Sequence, residues 1–216
     1  MNLVTKEISI HEEILTLTNQ RAIVWKREQT LVVSDLHIGK TAHFRKAGIA
    51  IPSTILYNDL QRLKFLIAYF QIQTILIVGD LFHAGKNKDI DVFHQWMLQF
   101  DTVKFELIKG NHDRLSQAFY ASLNITIYQK YKDIAPFRFV HDATQCNSDH
   151  FCISGHTHPG AILKGRGKQF LKLPCFEVGE NILVLPAFSE FTGLNTKKSS
   201  ETSICFAFTE SSLFKL

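Results

Sequence analysis

The stretch VVSDLHIGK runs from Val32 to Lys40. Its apolar, β-branched start reads as a buried strand, and the run stops abruptly at Asp35, with His37 two places later. A carboxylate and an imidazole at the tip of a buried strand are costly unless something pairs with them. Other apolar runs end in the same way. TILIV is followed by GDLFH, which puts Asp80 at a strand tip. VKFELI is followed by KGNHDR, which puts Asn111, His112 and Asp113 there. FRFV leads into His141 and Asp142, and FCIS leads into GHTHP with His156 and His158.

Further strand-like runs are RAIVW, ITIY, QFLKLPCFEV, NILVLPAF, SICFAFT and SSLFKL. Between the early strands lie helical patterns. One starts near Pro52-Ser53 and carries Leu56, Leu60, Leu63, Ile67 and Phe70 at helical spacing. A second covers Ile90 to about Phe100, and a third fits Leu115–Leu123. The first half alternates strand and helix and the second half is mostly strand, which predicts parallel βαβ units followed by antiparallel strands. In such mixed α/β folds, functional groups gather beyond the carboxyl ends of the parallel strands.

The length, 216 residues, favours one domain spanning 1–216. A net charge of +4 is mild and does not by itself mark a nucleic-acid binder. No segment approaches the ~18–20 apolar residues of a membrane span, so no membrane partner is expected. The N-terminus lacks a basic stretch followed by an apolar one. The four cysteines, Cys146, Cys152, Cys175 and Cys205, have no CxxC spacing, and a cytoplasmic protein with reduced thiols is the expectation. Cys175 reads as a small buried hydrophobe.

The residue types at the strand ends point to chemistry. Hard divalent ions accept mixed carboxylate, amide and imidazole donors. A carboxylate shared by two ions, with several imidazoles around it, is what a two-metal phosphoester hydrolase needs. The glycines of GD, GN and GH let the backbone turn sharply beside such ions.

The ordered set DxH, GD, GNHD, H and GHTH resembles the calcineurin-like metallophosphoesterase superfamily. DLHIGKTAHFRKAGIAIP, GDLFHAGK, SGHTHPGAIL, LPCFEV and LPAFSEFTG narrow the resemblance to the ligase-associated DNA damage response endonucleases. The resemblance implies a four-layer αββα sandwich with a dinuclear metal site at the sheet edge. It places Asp35, His37 and His158 on one metal, Asp80 between the two, and Asn111, His141 and His156 on the other. Mn²⁺ is the leading metal, and Fe, Zn or Ni ions suit the same donors. The resemblance further implies a bridging hydroxide nucleophile, His112 as general acid and Asp113 as its orienting partner. Single-stranded DNA is the implied substrate, with DNA repair proteins such as a ligase as implied partners.

Substrate residues are read from the segment Gly39–Gly48. There Lys40, Arg45 and Lys46 surround Phe44, a mixture that suits single-stranded nucleic acid, although a solvated loop with a tucked Phe is the plainer account. His83 and Arg114 stand beside the motifs and suit phosphate contacts; packing or a surface ion pair explains them equally well. Leu163–Gln169 reads as a basic hairpin turn. Two other functions stay open: a phosphodiesterase or phosphatase for small nucleotides or other phosphorylated metabolites, and a non-catalytic scaffold.

Overall fold

The computed structural model describes residues 1–52, 54–83, 85–147 and 149–216, so Ser53 of the expected helix start lies outside the described residues. The chain builds two packed sheets. The first has strands β1 (Thr5–Ile10), β2 (Glu13–Thr18), β3 (Ile23–Trp25), β4 (Thr30–Val33), β5 (Thr74–Val78), β6 (Lys104–Ile108) and β7 (Ile125–Tyr128) in sequence order. Strands β4 to β7 run parallel, and β1 to β4 form an antiparallel extension. Helices α1 (Lys40–Lys46), α2 (Thr54–Phe70), α3 (Lys88–Met97) and α4 (Gln117–Ser122) fall within the stretches joining the parallel strands.

The second sheet contains β8 (Tyr131–Ile134), β9 (Phe137–Val140), β10 (Phe151–Ser154), β12 (Phe170–Val178), β13 (Ile182–Val184), β14 (Ile204–Phe208) and β15 (Leu213–Lys215), with β11 (Gly160–Lys164) pairing only with β12. One expectation is corrected here. The second half is not wholly antiparallel, because β10 runs parallel to both β9 and β13. The carboxyl ends of β9 and β10 therefore lie at one edge of the sheet, as those of β4, β5 and β6 do in the first.

Alternation along the strands divides the core. Val24, Leu31, Val33, Ile75, Ile77 and Leu107 face α2 and α3, whereas Ile23, Trp25, Val32, Leu76 and Ile108 face Phe137, Phe139, Ile153, Phe176 and Leu183 of the second sheet. The mixed α/β sandwich is as expected. The second helical layer of the four-layer expectation is reduced: after Ser122 the described residues contain one 3-10 turn, Ala143–Gln145, and no α-helix. The outer face of the second sheet instead buries the small side chains Cys175, Cys205 and Ala207 against Ala161 and Leu173. Small residues leave room for a hairpin to lie where a helix would otherwise pack.

No helix among the described residues is long and apolar enough to cross a membrane. Cys175 is free and buried, as expected of a small hydrophobe, and Cys205 is free and buried as well. Cys146 and Cys152 are joined in a disulfide, against the expectation of reduced thiols. The turn after β9 brings the chain back along β10, leaving the two Cα atoms 6.2 Å apart, within bridging range.

Candidate metal centre

The loops at the strand ends bind one another before they bind anything else. Asp35 N–H donates to Gly79 O (3.1 Å), His37 N–H to Asp80 O (2.9 Å) and Ile38 N–H to Leu81 O (2.9 Å). Across the sandwich, His156 N–H donates to Asp35 Oδ2 at 3.0 Å, and within the second sheet Gly155 N–H donates to His141 O at 3.1 Å. Phe188 N–H reaches Ser34 O at 2.7 Å, tying a late loop to the first one. The tips of β4, β5, β6, β9 and β10 thus form one continuous edge.

Five residues of that edge have left-handed backbone without being glycine: Asp35 (φ 57°), His37 (φ 48°), Asp80 (φ 53°), His156 (φ 70°) and His158 (φ 50°). Each costs roughly 1 kcal/mol of backbone preference. The surrounding loops hold this strain in place, and the five side chains are turned toward two shared points.

Asp35, His37 and His158 form one group and Asp80, His141 and His156 the other, with donor atoms within 4.8 Å of one another in each. Asn111 joins the second group, with its Oδ1 3.1 Å from His141 Nε2. Metal ions fit the first group because its atoms are otherwise orphaned. Asp35 Oδ1, His158 Nε2 and both ring nitrogens of His37 are buried without a hydrogen-bond partner among the described residues. His158 Nε2 lies only 3.1 Å from Asp35 Oδ1, yet the pair is aimed at a common point and not at each other. In the second group His141 Nδ1 faces the Val78 carbonyl at 3.0 Å, which holds a proton there and turns Nε2 toward Asn111 Oδ1 and Asp80 Oδ2, 3.1 and 3.4 Å away. Gly79, with φ +85°, is required beside it, because a Cβ at that position would strike the His141 ring.

Electrostatics prepare the carboxylates. Burial alone would raise Asp35, but the His158 and His141 rings and the Ser34 hydroxyl outweigh it and hold the group below its ordinary value. Burial also opposes ionisation of Asp80, and His141 and the His112 N–H overcome it, bringing the group down to about 2. Burial drops His37 to about 4, so its ring is neutral and its lone pair available.

The His112 ring stacks on His83 at 4.8 Å and meets the His37 ring edge-on at 5.4 Å. With His83, Gly85, Arg114 and Leu115 it lines a cleft of ≈ 350 Å³. His43 extends this imidazole wall, 5.8 Å from His83. Asp113 does not orient the His112 ring. Its oxygens accept from Phe82 N–H (3.0 Å), Gly110 N–H (2.9 Å), Leu81 N–H (3.4 Å) and Tyr120 O–H (3.3 Å). The next helix is capped by Ser116. Asp113 clamps the Asp80 loop to the Asn111 loop. Burial exceeds what those donors return and raises Asp113 to about 6.

The segment expected as a basic loop is the helix α1, because Gly39 turns the chain with φ +90° and the next seven residues wind up. Lys40 stays at the site, its ammonium 5.7 Å from the Phe191 ring, while Phe44 meets Phe191 at 5.6 Å. Phe191 is the residue sequence reasoning missed, since LPAFSEFTG gives no sign of which Phe turns outward. Arg45 is engaged elsewhere: Nη2 lies 3.5 Å from Asp89, which is buried in α3. Arg114 is exposed, with Nε donating to Asn111 O at 3.2 Å.

Two packed sheets with two carboxylate and imidazole groups at one shared edge define a metal-dependent hydrolase. The chain belongs to the calcineurin-like phosphoesterase family, whose model matches residues 29–186. The crystal structure of the Pseudomonas putida nuclease MPE is similar over 99% of this chain and 100% of that one, at 30% identity and a TM-score of 0.84. YfcE, a phosphoesterase from E. coli, matches 87% of this chain and 97% of its own, at 15% identity and a TM-score of 0.44. A comparison with curated proteins finds no match.

Proposed function

We propose that the chain, acting over residues 1–216 as one unit, is a two-metal phosphodiester hydrolase whose substrate is DNA, single-stranded in preference, in a repair setting. The observation that carries the nucleic-acid reading is the 30% identity, over the whole chain, to a protein described as a nuclease. The open edge supports it, since among the described residues no separate cap covers the site. The same reading puts the protein in the cytoplasm with its DNA.

Asp35, His37 and His158 would hold one divalent ion and Asn111, His141 and His156 the other, with the Asp80 carboxylate available to both. Two divalent ions, Mn²⁺ first among them, supply Lewis acidity and an activated water when bound. The chain's own residues do the rest. Asp80 and Asp35 bring negative charge that balances the ions. The His112 ring stands over the cleft, where it gives a proton to the departing alkoxide, an effect of about 10²–10⁴-fold. Lys40, His83 and Arg114 hold the non-bridging oxygens and neighbouring phosphates. Arg45 is left out of this set because Asp89 engages it.

The test is a Mn²⁺-dependent assay on bis-p-nitrophenyl phosphate, p-nitrophenyl phosphate and a circular single-stranded DNA, with Asp80→Ala protein as control. Cleavage of the diester and the circle, both lost in the variant, supports the proposal. Turnover of small esters with the circle untouched would move the substrate to nucleotides or other phosphorylated metabolites.

A further inference from the structure

The β11–β12 hairpin leaves the metal centre directly, with Pro159 alone between His158 and the first strand residue, Gly160. Its root is stitched to the His158 loop. Asn195 N–H donates to His158 O at 2.9 Å, Gly160 N–H to Asn195 O at 2.8 Å and Cys175 N–H to Pro159 O at 3.1 Å. From Pro159 to Lys164 the arm extends about 16 Å, at ~3.3 Å per strand residue.

The register pairs Ala161 with Leu173, Ile162 with Lys172, Leu163 with Leu171 and Lys164 with Phe170. Directly opposed residues share a face. One face therefore carries Ala161, Leu163, Leu171 and Leu173, and its inner part is accounted for by packing on the second sheet. The other carries Ile162, Lys164, Phe170 and Lys172, and nothing among the described residues covers it: Phe170 is 64% exposed and Ile162 42%. The turn adds Arg166 and Lys168, and no Asp or Glu occurs between Gly160 and Pro174. None of these four cations makes an ion pair among the described residues, so no carboxylate of the chain offsets their charge along the arm. Cations of one sign around a bare aromatic repel one another and expose apolar area for no return within the chain. A single-stranded nucleic acid answers both: its phosphates pair with the lysines and its bases stack on the ring. An anionic membrane also attracts such a face, but the arm is rooted at a phosphodiesterase centre, which favours the polynucleotide.

We propose that the β11–β12 hairpin is a single-stranded nucleic-acid arm, with Lys164 and Lys172 on backbone phosphates and Phe170 stacked on a base, holding the strand whose scissile phosphate lies at the metal centre. The inference rests on the nucleic-acid reading above and names where that substrate is gripped.

The experiment is fluorescence anisotropy of labelled oligo-dT with the full chain in EDTA, so that binding is read without cleavage. Phe170→Ala should weaken binding by roughly 5- to 150-fold. Lys164→Ala with Lys172→Ala should lower the slope of log K against log salt by about 1.4, two contacts at ~0.7 each. Melting temperature and metal content of each variant confirm that fold and centre are intact. Equal affinity and slope in wild type and variants would overturn the arm, as would a wild-type chain that ignores oligo-dT or binds anionic vesicles in its place. If the arm variants bind normally while circular DNA is still cut, only this inference falls. If oligo-dT binds through the arm and the circle is never cut, the nuclease reading falls.

Discussion

The backbone N–H of His112 donates to Oδ1 of Asp80 at 2.9 Å. One carboxylate thus belongs to the metal group and also holds the loop that presents the His112 ring. Position and charge at Asp80 can be separated. Asp80→Asn keeps an acceptor for the N–H and suits the φ of 53°, but it carries no charge. Metal content should collapse in both Asp80→Asn and Asp80→Ala, while only the alanine loses a further ~1 kcal/mol of stability. Elemental analysis and urea melts read the two effects. Equal stability of the two variants would remove the hydrogen bond from the account.

His112→Ala should keep its metals and lose about 10²–10⁴-fold in turnover of diesters with poor leaving groups. Nitrophenyl diesters, which leave with little help, should be cut nearly as well as by wild type. A uniform loss across both would mean that His112 positions substrate and does not donate a proton.

Gly79→Ala places a methyl group against the His141 ring. The second metal group should lose affinity by at least tenfold while the first keeps its ion, because the added methyl meets the His141 ring, and Asp35 is linked to position 79 through the backbone carbonyl, which the substitution keeps. Metal titration would then show one site where wild type shows two. Two unchanged sites would mean the ring has room to move.

Asp59 on α2 is buried, and burial raises it to about 6 although Arg62 and Ser189 pull the other way. Between its ordinary 3.8 and about 6, the folded chain keeps a proton that the unfolded chain releases. Stability therefore falls as pH rises through that window and levels off above it, at up to about 1.4 kcal/mol per pH unit. Asp113, raised for the same reason, acts in the same direction. Asp59→Asn should flatten its share of the slope in melts run across that window. An unchanged slope would assign the dependence to Asp113.

Arg62 is the buried partner in that cluster, donating to Asp59 (2.7 Å), to Glu190 (2.8 Å) and to the Phe188 carbonyl. Arg62→Ala leaves the Asp59 carboxyl without its cation and should cost about 3–5 kcal/mol. Arg62→Lys should recover only part, since an ammonium cannot reach all three acceptors in one plane. Full rescue by lysine would show that charge alone matters there.

The strand tips were readable because an apolar run that stops at Asp or His is rare, and five of them point to one edge. Helix α1 was not readable: KTAHFRK has no apolar stripe, and Gly39 starts the helix without a side-chain cap. Strands β1, β2, β8 and β11 were also missed. Three of them sit at or beyond a sheet edge, where the burial pattern is weak. Asp113 lies next to His112 in sequence, yet its partners include Leu81 and Phe82, brought near by the packing of β5 beside β6. Arg62 and Asp59 look like the polar side of α2, and only the returning Phe188 loop makes them interior. The left-handed backbone at five ligands leaves only a weak trace in residue type: Asp and His tolerate positive φ better than most residues, but they are also common on ordinary turns.

Each metal group draws its donors from both sheets: Asp35 and His37 meet His158, and Asp80 meets His141 and His156. An ion seated in either group is therefore a rivet between the two halves of the sandwich, closing loops of more than sixty residues, as from Asp80 to His141. Metal supply then becomes a control on folding as well as on turnover. At a hundred times the dissociation constant, one ion adds about 2.7 kcal/mol to the stability of the whole. A chain synthesised where divalent ions are scarce would be inactive and also looser across the sheet interface, and so more exposed to proteolysis than its loaded counterpart.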